Sequence, residues 1–138
     1  MYTWATAERT YESFPLFLRW PTTVDTPEHR YRFPHLAVIT HTFTERLPNG
    51  CPEPKYNHTL ENLDQQTIKA FSALNCGVPI LVETFGGERN YYFCVSDAAD
   101  VGAVVAALTA SHPTEQLAWE LRPGTGWRFL DRYAKEFF

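Results

Sequence analysis

The residues of this chain whose chemistry goes beyond packing are its histidines, cysteines, arginines and aromatic side chains, and their spacing decides what each can do. His41 and Glu45 stand four residues apart, the interval at which two ligands on one helical turn grip a metal ion. They fall instead on a strand and its exit, where side chains four apart do not converge. The HExxH pattern is absent as well. His29, His35 and His58 lie in loops near Cys51, but their intervals match no zinc pattern. These groups read as structural or solvated, and no metal or cofactor is expected. Cys76 and Cys94 would be nucleophiles only with a depressed thiol pKa. Cys94 lies within an apolar strand, where cysteine behaves as a small inert hydrophobe. Cys76 ends a helix, where the negative end of the dipole disfavours a thiolate. Ser72 and Ser96 lack a GxSxG context. Gly86-Gly87 is too short to cradle a phosphate and lacks the Lys-Ser/Thr that would follow, so it reads as a hairpin turn. No catalytic set assembles along the sequence, and the chain is not expected to be an enzyme. A small-molecule or catalytic site converging from distant loops, for instance His35, His41 and Arg89, stays open, because convergence in space leaves no trace in sequence spacing.

Two segments carry binding chemistry. In Arg89-Asn90-Tyr91-Tyr92-Phe93, strand alternation puts Arg89, Tyr91, Phe93 and Val95 on one face and Asn90, Tyr92 and Cys94 on the other. An exposed first set would form an aromatic platform for single-stranded RNA. The competing expectation is that both faces are core, one meeting helices and the other an amino-terminal hairpin, since strand aromatics are usually buried. The second segment, His29-Arg30-Tyr31-Arg32, is a small basic, aromatic loop. Arg30 and Arg32 can touch a phosphate or an acidic partner, although solvated loop charge is the default.

Composition bounds the partners. The 138 residues fit a single domain over 1–138, large enough to build a core without disulfides or metals. Twelve Lys and Arg against sixteen Asp and Glu give a net charge of −4, the opposite of the basic excess that nucleic-acid binders carry. No Lys/Arg cluster marks a membrane surface, and no apolar run approaches the roughly 20 residues that span a bilayer. Three cysteines, an odd count with no CxxC pair, suit reduced thiols better than a disulfide framework. Met1 to Arg9 lacks the order of a signal peptide. A cytoplasmic location follows as the expectation.

These residues must be positioned by a small set of elements. Trp4–Thr10 and Phe14–Trp20 form a hairpin around Tyr11-Glu12-Ser13, and Pro15 suggests that its second strand is an edge. Pro21–Pro34 reads as a loop. Leu36–Thr44 is a strand, with Ala37, Ile39 and Phe43 on one face and Val38, Thr40, Thr42 and Thr44 on the other. Pro48–Pro54 is a second loop. Thr59–Asn75 reads as the clearest helix, capped by Thr59 and striped by Leu60, Leu63, Thr67, Phe71 and Leu74, with Gly77 as its stop. Val78–Phe85 and Asn90–Val95 form a hairpin across Gly86-Gly87. Asp97 caps a helix running to about Ala110, with Val101, Val104, Val105 and Leu108 buried. Leu117, Trp119 and Leu121 alternate in a last strand, and Trp127, Leu130, Ala134 and Phe137 mark a short terminal helix. From Leu36 the order is strand, helix, strand, strand, helix, strand. The fold class is therefore α+β: a ferredoxin-like (split βαβ) antiparallel sheet with helices on one face, plus an N-terminal β-hairpin and a short C-terminal helix. The hairpin either extends the sheet or covers its open face.

The layout also resembles a bacterial family catalogued as domain of unknown function 695 (DUF 695). The likeness rests on the entry around Trp4, Phe14-Pro15-Leu16-Phe17-Leu18-Arg19, Phe33-Pro34-His35-Leu36-Ala37-Val38-Ile39 and Gly50-Cys51-Pro52. It continues through Leu60-Glu61-Asn62-Leu63, Gly86-Gly87-Glu88-Arg89-Asn90-Tyr91-Tyr92-Phe93 and the late Trp127. The chain departs at Cys51 and Cys94, where that pattern often has a longer apolar residue and an aromatic. The family is distantly similar to the regulator of ribonuclease E activity B, an inhibitor acting by protein contact. The resemblance implies a non-enzymatic protein-interaction or regulatory module with a protein partner. Its contact surfaces would be the open sheet face and the Pro21–Pro34 and Pro48–Pro54 loops, since binding concentrates on loops held by a rigid scaffold.

Overall fold

A computed structural model describes residues 2–138. Six strands form one antiparallel sheet: β1 (Trp4–Tyr11), β2 (Phe14–Pro21), β3 (His35–Thr42), β4 (Gly77–Phe85), β5 (Glu88–Val95) and β6 (Gln116–Arg122). Five helices accompany it: α1 (Pro27–Arg32), α2 (Pro54–Thr59), α3 (Glu61–Lys69), α4 (Val101–Ser111) and α5 (Gly126–Phe137). The strand order is β1-β2-β4-β5-β3-β6, so the expected α+β class with an antiparallel sheet is met.

The amino-terminal hairpin extends the sheet. Glu12 (φ 50°) and Ser13 (φ 70°) turn it, both in the left-handed region that a two-residue turn between twisted strands requires. Pro15 does not mark an edge, because β2 lies between β1 and β4. It is tolerated because β4 pairs with β2 only at Phe17, Leu18 and Arg19. Pro15 lies beyond that ladder, where a missing N–H costs nothing. The β4–β5 hairpin turns on Gly86 (φ 64°) and Gly87 (φ 88°), as expected. At Gly87 the positive φ is what calls for glycine, and the Arg46 side chain lies over it at 2.3 Å from where a Cβ would stand.

Helices cover both faces of the sheet, not one. On the first face, Ala37, Ile39, Val82, Tyr91, Phe93 and Val95 pack against Leu63, Ile68 and Phe71 from the α3 segment and Val101, Val105 and Leu108 from α4. On the second, Leu16, Leu18, Leu36, Val38, Ile80 and Cys94 pack against Trp127 and Tyr133 of α5 and against Val24 and Phe33 flanking α1. α5 is twelve residues long and closes the face that a four-stranded unit would leave bare. The indole of Trp127 donates to the carbonyl of Phe33 (2.9 Å), and a Cβ on Gly126 would strike the Cys94 sulfur at 2.6 Å. α5 therefore sits directly on the strands.

Three expected boundaries move. The segment expected as one helix over Thr59–Asn75 is divided. α2 starts at Pro54, capped by the Glu53 carboxylate, and a new start at Leu60, without a side-chain cap, opens α3. α3 ends at Lys69, and the chain turns through Asn75 (φ 54°) into β4, where Gly77 is the first residue. Asn75 thus takes the left-handed stop assigned to Gly77, and Leu74 points outward. The cap of α4 is Asp100, whose Oδ1 accepts from the Ala103 N–H at 3.0 Å. Asp97 bonds His35 instead (2.5 Å). The Pro21–Pro34 loop contains α1, capped by Thr26 with Pro27 in its first turn.

Candidate functional site: a groove beside the amino-terminal hairpin

α3 reaches the hairpin only along one border, where Asp64 meets Arg19 of β2 and Trp4 of β1 packs at the margin of the first core, and the rest of β1 and β2 on this face has no helix over it. Alternation puts Trp4, Thr6 and Glu8 of β1 and Phe17 and Arg19 of β2 on that uncovered half. A cleft of about 500 Å³ opens where it meets α2 and α3, lined by Arg19, Asn57, His58, Leu60, Glu61, Asp64 and Arg89. Two further hollows share Arg19, one continuing over Trp4 along α3 and the other over Thr6 and Phe17. Together they make a continuous groove between hairpin and helix.

Its floor is an ion cluster. Cross-strand pairing sets Arg19 opposite Val82 and Tyr91 opposite Val82 from the other side, with Arg89 opposite Thr84. Arg19 and Tyr91 therefore share one row under α3, with Arg89 in the next. Asp64, on the inward side of α3, accepts from the Arg19 guanidinium and from the Tyr91 hydroxyl at 2.5 Å. Burial works against the Asp64 charge, yet Arg19, Tyr91 and Arg89 outweigh it and hold its pKa below the ordinary carboxylate value. Burial and the neighbouring carboxylate push the Tyr91 hydroxyl up, so it stays a donor. Arg89 donates Nε to Thr84 (3.0 Å) and Nη2 to Asn57 (3.2 Å). Its Nη1 is 3.9 Å from Asp64, beyond hydrogen-bond reach. Two guanidinium groups thus lean on one carboxylate. Trp4 lies 5.9 Å from the Arg19 guanidinium and Phe43 lies 5.3 Å from that of Arg89, so each cation has an aromatic face beside it.

A second polar cluster adjoins this one through Phe43. His41, directly opposite Arg89 across β3 and β5, is buried, with its ring edge-on to Phe43 at 5.3 Å. Its Nε2 meets Glu115 at 2.9 Å, and the Tyr56 hydroxyl donates to the same carboxylate. Burial pushes the His41 pKa down more strongly than Glu115 raises it. Burial opposes the Glu115 charge, but hydrogen bonds from Tyr56, His41 and Thr114 keep that carboxyl below its ordinary value. An ionised Glu115 can only accept, so the neutral imidazole donates through Nε2–H. This lock joins β3, α2 and the turn before β6.

The sequence candidates separate accordingly. Arg89 lines the groove. Tyr91 (1% exposed) and Phe93 (0%) are core residues beneath α3 and α4, so their rings are closed to stacking and the aromatic RNA platform is overturned. Arg30 is held between Asp25 (2.7 Å) and Asp131 (2.9 Å) and rests over Trp127. Arg32 pairs with Glu28 across one helical turn and lies over Phe33. The loop patch is thereby neutralised by its own neighbours. Of the trio His35, His41 and Arg89, the structure joins the last two. His35, at the opposite end of β3, bonds Asp97 and accepts from the Gly124 N–H (3.0 Å). Cys94 is fully buried and its thiol pKa is driven up by burial, in keeping with an inert hydrophobe. Arg19, Asn57, Tyr56, Asp64 and Glu115 were not singled out as site candidates in the sequence. One signal was readable: Asp64 occupies the buried stripe of Leu60, Ile68 and Phe71, where a charge needs a partner.

A family model described as a family of unknown function, DUF695, matches residues 3–133. The chain belongs to this DUF695 family. The match spans the hairpin, both clusters and most of α5, so the cleft around Arg19, Asp64 and Arg89 lies inside the DUF695 region. Neither the curated proteins nor the solved structures compared with the chain gave a match. No helix among the described residues is long and apolar enough to cross a membrane.

Proposed function

We propose that this chain is a non-enzymatic protein-interaction module, regulatory in role, that takes an acidic segment of a partner protein along the groove beside the hairpin. The observation that carries this reading is the pair of guanidinium groups, Arg19 and Arg89, leaning on the single carboxylate of Asp64. Arg89 Nη1 makes no hydrogen bond to Asp64 at 3.9 Å, so a second carboxylate entering the groove competes with Asp64 for that edge, and charge-assisted hydrogen bonds of this kind are among the strongest at a protein surface. Phe17, 39% exposed, and Trp4 supply apolar contact along the same path, the pairing of aromatic anchor and arginine that dominates protein interfaces. The resemblance to a contact inhibitor supports the same role, and reduced thiols suit a cytoplasmic setting. The β4-β5-β3-β6 order, in which α3 and α4 each link two strands separated by a third, supports a ferredoxin-like core with the hairpin added at one edge. Fold of this kind hosts many activities, so the groove and not the fold bears the functional reading.

The test is affinity purification of the tagged protein from its native cells, with and without ribonuclease, repeated with Arg89→Gln. A stoichiometric protein partner that survives ribonuclease and is lost with Arg89→Gln supports the module. A partner set lost with ribonuclease replaces it with an RNA-binding function, and a partner indifferent to Arg89→Gln removes the groove from the contact.

A further inference from the structure

We infer that the β6 edge of the sheet is a self-association surface, and that its occupant is the β6 strand of a second copy of this chain, running antiparallel about Trp119. β6 pairs only with β3 and leaves its other edge unpaired. Natural edge strands are guarded by proline, inward charges, lysines or bulges. Gln116–Arg122 has no proline or lysine, and its register with β3 runs through seven consecutive pairs without a shift. Alternation places Leu117, Trp119 and Leu121 on the face shared with α4, where Trp119 is 50% and Leu121 41% exposed.

The side-chain pattern selects a second copy over an unrelated strand. The apolar face reads Leu-Trp-Leu, the same in both directions about Trp119. A two-fold axis there sets Leu117 against Leu121 of the other chain, Trp119 against its equivalent and Leu121 against Leu117. Every apolar position meets an apolar position, and cross-strand pairs of this type are the unit of sheet stabilisation. On the opposite face the same register puts Glu120 against Ala118 and Arg122 against Gln116, so no like charges face each other directly. Arg122 already neutralises Glu120 at 2.8 Å within its own strand. Such an isologous contact closes on itself as a dimer.

Helix α4 leaves room for the partner. It carries no charged side chain in eleven residues. Gly102 lies against Trp119, where a Cβ would come to 3.1 Å from the indole, so the helical row Gly102, Ala106, Ala110 faces the β6 side. Small residues in that row let a second α4 approach across the joint.

Sedimentation of the full chain reads this directly. The expected result is a concentration-dependent shift from 15.9 kDa to twice that mass. Leu121→Lys sets a charge against the apolar Leu117 of the other chain and should weaken the dimer by about 10-fold or more. A chain that stays monomeric from micromolar to near-millimolar concentration overturns the inference, as does a dimer unaffected by Leu121→Lys. Should that variant fail to fold, the register is read by cysteine cross-linking in a Cys51→Ser background. A mixture of Leu117→Cys and Leu121→Cys chains should give a disulfide-linked dimer under air oxidation, while neither chain alone should. Cross-linking that is equal in all three samples overturns the antiparallel register.

Discussion

The two halves of the sheet's first face are built from the same alternation and end in opposite states. Over β3, β4 and β5 the inward side chains are closed in by α3 and α4, and Tyr91 and Phe93 vanish into the core. Over β1 and β2 the cover thins to the contact of Asp64 with Arg19 and the packing of Trp4, and Phe17 remains accessible. Whether an aromatic strand residue becomes core or contact surface is thus decided by the element that settles over it, at long sequence separation. A ring pointing the same way two strands along has a different role.

The largest break of this contrast is expected on the covered side. Phe93→Ala removes a fully buried ring stacked edge-on against Phe71 at 4.8 Å and should cost about 3–5 kcal/mol of stability, measured as a shift in the urea midpoint. A cost below about 1 kcal/mol would mean that α3 does not seal that half. At the border between the halves, Asp64→Asn leaves Arg19 and Arg89 without their shared carboxylate. The expected cost is about 1–3 kcal/mol, less than for a fully buried pair because Arg19 is 30% exposed. A double-mutant cycle with Arg19→Gln should show coupling, since the two groups touch; additive costs would remove the ion cluster as the hinge between halves.

The His41 lock should give the border a pH dependence. Its folded pKa lies below the ordinary value of about 6.5, so the unfolded chain binds the proton more readily and stability rises with pH through that region. The contribution is complete above about pH 6.5 and fades as pH falls below it, with Glu115, Tyr56, Arg89 and Asp64 as the groups around the ring. Melting temperature should fall between neutral and mildly acidic pH, and His41→Gln should flatten that slope. An unchanged slope would move the dependence to other groups. The smallest effect is expected on the uncovered side. Phe17→Ala should change stability by less than about 0.5 kcal/mol while reducing partner capture, and a large destabilisation would show that the bare half is core after all.

What the sequence made legible follows the same division. The hairpins at Glu12-Ser13 and Gly86-Gly87, the strand alternation in β3 and β5 and the stripe of α4 were readable, because turn chemistry and side-chain period are local. The break at Leu60 was not. The periodic stripe runs through it unchanged, and only the cap at Glu53 and the packing of Tyr56 on Phe43 and Glu115 show that the helical path starts earlier and bends. The cover supplied by α5 was hidden as well, since a stripe of Trp127, Leu130, Ala134 and Phe137 announces an amphipathic helix without naming the surface it meets. Arg89 was picked out for its aromatic neighbours, which turned out to be core. Its actual companions, Asn57, Asp64 and Arg19, lie on three other elements that only the register of β2, β4 and β5 brings together.

The position of α5 has a consequence for how the chain matures during synthesis. The hairpin is made before α5, yet its second face rests on side chains of that helix and of Phe138 after it. Tyr11 lies edge-on to Phe137 at 5.8 Å, Trp20 stacks on Phe138 at 4.0 Å, and Arg9 bonds the Phe137 carbonyl at 2.9 Å. Until β4 is made, β1 and β2 are a two-stranded ribbon, a form that is marginal in water; pairing with β4 at Phe17, Leu18 and Arg19 then joins them to the sheet but leaves their second face bare. Completion of α5 is the event that buries that face.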